Sequence, residues 1–267
     1  MTTQPLRRTG GVFAEMHQAL MAIDIPFHQL DPATVPTDLL GTVQATWQHR
    51  VTTEYRSIQI MNRFMTEVLG AGDPLEVYAG VVDMIEDEIR HTALCAEVVR
   101  ALGAQPMLPE PVAIPESDAF LAMPMMHRSL ATAISMLAVN ETLSCGFIED
   151  LAARCEHPII GAVLKATIED EEGHEAFGWE YLRNSLKRFP EESLPEWQGI
   201  AEQALTAQRS QAMAVLNEMS ADERHLDAWP DTELVQWGLF SPQRQALVYE
   251  KTYNEVLEPH MKELNLL

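Results

Sequence analysis

Cysteine is scarce: Cys95, Cys145 and Cys155 are the whole complement of a 267-residue chain, and no two form a CxxC pair. An odd, scattered set argues against a disulfide framework and against a zinc or rubredoxin-type site, and points to a reducing, cytoplasmic compartment. Positive charge is scarce too. Lys and Arg number 18 against 40 Asp and Glu, a formal net charge of −22. So negative a surface repels phosphate backbones and anionic lipid, and neither a nucleic acid nor a membrane is expected as partner. No run of 18 or more apolar residues is present, so no membrane span is expected. The apolar patch after Arg7-Arg8 is interrupted by Glu15 and His17 before a cleavable hydrophobic region forms.

What is abundant is apolar side chain, 46% of the residues, enough for a sizeable core. Collagen-like, disordered and disulfide-stapled classes are excluded. Strand-like alternation is nearly absent and helical periodicity dominates, which predicts an all-α protein. Punctuation cuts the middle into four long helices. The first runs from about Asp38 to Leu69 and stops at Gly70-Ala71-Gly72. The second opens on Asp73-Pro74-Leu75-Glu76, with Asp73 as N-cap, and runs to about Leu102. Pro106, Pro109, Pro111 and Pro115 make 103–116 an extended crossover. The third helix spans about Pro124 to Cys155, and the fourth runs from His157-Pro158 to about Arg188. Short, long, short is the connectivity of a four-helix bundle with one long crossover. An arm over 1–37, with an amphipathic stretch from Val12 to Ala22, precedes this bundle at 38–188. An extension over 189–267 follows, with helices near 194–219 and 242–264. It is expected to cover the bundle or to form an oligomer interface, such as that of a homodimer.

One repeat carries chemistry. Ile85-Glu86-Asp87-Glu88-Ile89-Arg90-His91-Thr92-Ala93 and Ile168-Glu169-Asp170-Glu171-Glu172-Gly173-His174-Glu175-Ala176 both read I-E-D-E-x-x-H-x-A. A bare Glu-x-x-His occurs by chance about once in such a chain, but two copies inside six identities are specific. Residues three apart share a helix face, so Glu88 with His91, and Glu171 with His174, each present an oxygen and an imidazole nitrogen to one point. The apolar stripes supply two more acids. Glu54 interrupts Leu40, Val43, Trp47, Val51, Ile58, Met61, Met65 and Val68; Glu141 interrupts Leu130, Ile134, Leu137, Cys145, Ile148 and Ala152. Four buried carboxylates cost several kcal/mol each if unpaired, more than two histidines neutralise, and divalent cations answer that need. Glu54 and Glu88 are centred on position 71, and Glu141 and Glu171 on 156, each in a turn. At ~1.5 Å rise per residue the acids lie about 25 Å and about 22 Å from those turns, one level of the bundle. Mixed oxygen and imidazole donors suit two iron ions, or Mn–Fe or Mn, better than zinc.

Glu54, Glu88-x-x-His91, Glu141 and Glu171-x-x-His174 resemble the ligand pattern of the ferritin-like di-iron carboxylate superfamily, over residues 38–188. Asp87-Glu88-Ile89-Arg90-His91 is similar to the Asp-Glu-x-Arg-His motif of the soluble multicomponent hydroxylases, with Gly173 in place of Arg in the second copy. Several relatives fit less well. Ferritin ferroxidase sites typically have one histidine, and rubrerythrins add a CxxC domain. Ribonucleotide reductase small subunits have a radical Tyr where this chain has Cys95, p-aminobenzoate N-oxygenases have a third His where it has Thr167, and tRNA hydroxylases need an RNA partner. The resemblance implies an oxidoreductase that activates dioxygen to hydroxylate, N-oxygenate or dehydrogenate a small organic substrate, supplied with electrons by a separate reductase. A ferroxidase or rubrerythrin-like peroxidase is the alternative within the fold, and a non-enzymatic helical interaction protein the alternative outside it. Asp87 and Asp170 are expected behind the metal ligands, Asp170 orienting His91 and Asp87 orienting His174, or else as solvated helix acids. Cys145 is core or pocket lining, as are Met123, Met125 and Met126; Tyr55 and Tyr181 are read as packing, with a redox role as the lesser alternative. The remaining histidines have no ligand spacing.

Overall fold

The computed structural model describes residues 3–21, 23–111 and 113–267. Ala22, the expected end of the N-terminal amphipathic stretch, lies outside them. Strand β1 (Thr3–Pro5) precedes helix α1 (Val12–Met21), which buries none of its residues. Helix α2 (Leu40–Ala71) ends at Gly72, whose φ of 73° gives the left-handed turn expected of a glycine there. Helix α3 (Leu75–Ala101) starts one residue late. Pro74, extended at ψ 151°, takes the N-cap position, and Asp73 is not the cap. The Asp73 carboxylate instead accepts a hydrogen bond from the Tyr181 hydroxyl at 2.8 Å and pairs with Arg188. Tyr181 is therefore more than packing.

The crossover is extended as its prolines require, but it is not free of strand. Strand β2 (Met107–Pro109) pairs antiparallel with β1, Thr3 opposite Pro109 and Pro5 opposite Met107. Prolines keep this segment from coiling and leave backbone groups that need partners. The Gln48 amide on α2 supplies two of them, donating to the Met107 carbonyl at 2.5 Å and accepting from its N–H at 2.7 Å. A short helix α4 (Asp118–Ala122), unexpected from sequence, is capped by the Ser117 hydroxyl.

Helix α5 (Met125–Thr132), a π-helical segment (Ala133–Asn140) and α6 (Glu141–Arg154) form one continuous helix, Met125–Arg154. By length and composition it is apolar enough to cross a membrane, although it contains no uninterrupted run of 18. In this fold 61% of its most apolar stretch is buried against other helices. Helix α7 (Pro158–Ser185) is capped by His157, whose Nδ1 accepts from the amides of Ile159 and Ile160. Helices α8 (Leu194–Leu216), α9 (Pro242–Thr252) and α10 (Glu258–Glu263) follow, the last two joined through a π turn.

Helix α2 packs along α3, α3 against α7, α7 along α6 and the π segment, and α5 against α2, which closes a ring of four long helices. Helices α8 and α9 lie across the π segment and α6. The apolar core falls into two clusters, one around Trp47, Val51, Leu94 and Ile160, the other around Phe64, Val81, Leu137 and Leu182. On α2, α3 and α7 the break between them falls at Glu54, at Glu88 and His91, and at Glu171 and His174. The acids are a polar layer inserted into a core that is otherwise continuous along the bundle.

Candidate metal centre

The structure brings all six sequence-predicted residues together. Glu54 comes from α2, Glu88 and His91 from α3, Glu141 from the first position of α6, and Glu171 and His174 from α7. They form two overlapping sets, Glu54, Glu88, His91 and Glu171 in one, and Glu88, Glu141, Glu171 and His174 in the other. Within each set one donor atom per residue lies within 4.8 Å of all the others. Glu88 and Glu171 belong to both. His91 Nδ1 is 3.5 Å from Glu171 Oε1 and 3.8 Å from Glu54 Oε2; His174 Nδ1 is 3.4 Å from Glu171 Oε2 and 3.8 Å from Glu88 Oε1.

These atoms have no partner elsewhere. Nδ1 of both histidines and Oε2 of Glu88 and of Glu171 are buried and make no hydrogen bond. Orphaned buried donors and acceptors are costly, and here they point at one another across distances that a cation fills. Two sets of oxygen and imidazole donors sharing two carboxylates fit a pair of divalent ions of the iron or manganese kind.

The far side of each imidazole is held from the opposite copy of the repeat. His91 Nε2 lies 3.1 Å from Asp170 Oδ2, and His174 Nε2 lies 3.2 Å from Asp87 Oδ2. With Nε2 donating to the carboxylate, the Nδ1 lone pair is the one directed at the cluster. Arg90 links the two aspartates, its guanidinium pairing with Asp87 at 2.8 Å and with Asp170. That link was visible in sequence only as the three-residue spacing of Asp87 and Arg90.

Burial and the neighbouring Glu54, Glu171 and Glu141 push the Glu88 carboxyl well above its ordinary range. Burial and Glu171 do the same to Glu141. Glu171 goes the other way: burial opposes its charge, but the adjacent imidazoles of His174 and His91 hold its carboxyl low. Burial also opposes charge on His174, yet the hydrogen bond to Asp87 and the neighbouring Glu171 carboxylate raise the imidazole to about 10. A divalent cation competes with that proton for Nδ1.

A cavity of about 650 Å³ opens on the carboxylates of Glu54, Glu88, Glu141 and Glu171. Its roof is Gln208, Gln211, Gln245 and Tyr249 from α8 and α9, so the C-terminal extension shapes the site, which no motif in it signalled. Gln208 Oε1 and the Tyr249 hydroxyl there are buried without a partner. Cys145 faces elsewhere, bonding the Glu171 carbonyl at 3.3 Å and lining a separate cavity of about 230 Å³. Met125 packs against Gly70 at the end of α2. The one buried acid on α2 that sequence reasoning missed is Glu67, fully enclosed among Arg63, Arg128 and the Thr132 hydroxyl. Comparison with protein-family models, with curated proteins and with solved structures gives no match.

Proposed function

We propose that the chain is a ferritin-like di-iron oxidoreductase that activates dioxygen to oxidise a small organic substrate. The observation that carries this reading is the pair of overlapping ligand sets with orphaned Nδ1 atoms on both histidines. Glu88 and Glu171, common to both sets, would bridge two ions; Glu54 with His91, and Glu141 with His174, would complete one ion each. Bound ferrous iron supplies electrons and open coordination positions for the reduction of dioxygen. The residues around it do the rest. Asp87 and Asp170 fix the imidazole tautomers, and Arg90 holds both carboxylates. The two apolar clusters exclude water above and below the layer. The roofed cavity beside the carboxylates supports an organic substrate over iron itself, which needs no chamber of that size. Electrons for repeated turnover come, in this reading, from a separate reductase.

Protein produced in iron-replete cells should retain two iron ions per chain, and Glu54→Ala with Glu141→Ala should lose them. After anaerobic loading with Fe(II) and mixing with oxygen, oxygen uptake without growth of a ferric mineral is expected. Steady mineral growth would move the reading to a ferroxidase, and failure to bind iron at all would leave a helical interaction protein.

A further inference from the structure

A second cavity, of about 330 Å³, adjoins the first and shares His49, Thr53, Glu54, Ser144, Phe147 and Gln245 with it as walls. Its inner end is Arg50, one helical turn before Glu54 on the same face of α2, ~6 Å along the axis. Arg50 is half-buried and lines this chamber. Its guanidinium stacks 4.5 Å from the centroid of the Trp47 ring. Of its five N–H donors one is engaged, Nη2 donating to the Gly238 carbonyl at 2.9 Å. Among the described residues no carboxylate lies within ion-pair distance of it, whereas Arg63, Arg90, Arg154 and Arg244 each have one. Among the described residues Arg50 is also the only Lys or Arg lining either cavity.

A half-buried guanidinium that has Glu54 nearby but no carboxylate at ion-pair distance leaves donors free for an anion entering the chamber. We propose that Arg50 anchors the carboxylate of an organic acid, the substrate whose neighbouring carbons then lie toward Glu54. A planar guanidinium fork with free donors matches a carboxylate through two parallel hydrogen bonds. A phosphate dianion calls for more positive charge than one arginine beside Glu54 provides. Trp47, Phe147, Leu164, Leu239 and Phe240 give the chamber an apolar part that suits a hydrocarbon portion. With a net charge of −22 the rest of the molecule repels anions, so this arginine is a local exception in the interior.

The assignment deepens the oxidoreductase reading and rests on it for the word substrate, but binding can be tested without iron or oxygen. Hexanoate, hexanamide and hexan-1-ol are titrated into the metal-free protein by calorimetry, and into Arg50→Gln and Arg50→Lys. Hexanoate is expected to bind at least tenfold more tightly than the amide and the alcohol. Arg50→Gln should remove that preference and leave hexan-1-ol binding unchanged, and Arg50→Lys should keep part of it. The comparison of acid with amide in the unaltered protein needs no variant to fold. Equal binding of acid and amide, no binding of any of the three, or full preference in Arg50→Gln overturns the assignment while leaving the dioxygen chemistry standing. Selective hexanoate binding by a protein that takes up no oxygen upholds the anion site and removes the oxidoreductase reading instead.

Discussion

Asp170 on α7 holds His91 on α3, the carboxylate Oδ2 3.1 Å from the imidazole Nε2. The reciprocal bond from Asp87 to His174 makes each copy of the repeat the support of the other. Asp87→Asn and Asp170→Asn should each preserve the helical fold and weaken iron retention about 10–100-fold in competition with a chelator, the usual range for a residue that orients a ligand. The exposed Glu86 and Glu169, one position away, are the controls, and their change to Gln should leave affinity unaltered.

Glu67 binds no cavity and no repeat, but it is enclosed between Arg63 on its own helix and Arg128 on α5. Glu67→Ala takes the carboxylate away from Arg128 and the acceptor from the Thr132 hydroxyl, while Arg63 keeps its pair with Glu116, and should cost about 3 kcal/mol in urea unfolding. Iron binding by the folded fraction should be unchanged, since none of the six cluster residues touches it in these ion pairs.

Gly178 on α7 lies against the π segment, where a Cβ would overlap the backbone carbonyl of Leu137. Gly178→Ala should therefore destabilise by about 3 kcal/mol, because a backbone atom cannot swing aside as a side chain can. Gly199, on the exposed side of α8, has open space at the same position. Gly199→Ala should stabilise by ~1 kcal/mol through helix propensity alone. Thermal melts of the two variants, side by side, should move in opposite directions.

Acid should weaken the junction between α6 and α9. Burial opposes charge on Asp150, but hydrogen bonds from Arg244 and Arg154 outweigh it and hold the carboxyl below its ordinary value of 3.8. The unfolded chain therefore takes up the proton first as pH falls. The contribution of this group to stability is full above about 3.8 and is lost as pH falls through the lower folded value. Melting temperatures of the protein and of Asp150→Asn should differ most near neutral pH and converge toward pH 2.

The polar layer was legible in sequence because Glu54, Glu88, Glu141 and Glu171 each interrupt an apolar stripe, and helical spacing converts such an interruption into a position on the buried face. The outward aim of Asp87 and Asp170 followed from the ~100° step between neighbouring helix positions. Glu67 was not legible. Its spacing from Arg63 is that of any surface ion pair, and Arg128 and Thr132, which enclose it, are some 60 residues away in sequence. Strands β1 and β2 are three residues each, too short to show a period. The roof over the carboxylates was hidden for a different reason: Gln208 and Tyr249 belong to no motif, and only the packing of α8 and α9 across the bundle brings them over the cavity.

That roof has a consequence for how the protein can change. The floor of the chamber is written in residues 49–171 and its ceiling in residues 208–249, two stretches that do not overlap in the chain. A substitution at Gln208, Gln211 or Tyr249 alters what fits above the carboxylates without touching any of the four acids or the two imidazoles. The last third of the sequence can therefore reshape this side of the cavity while the repeat stays fixed.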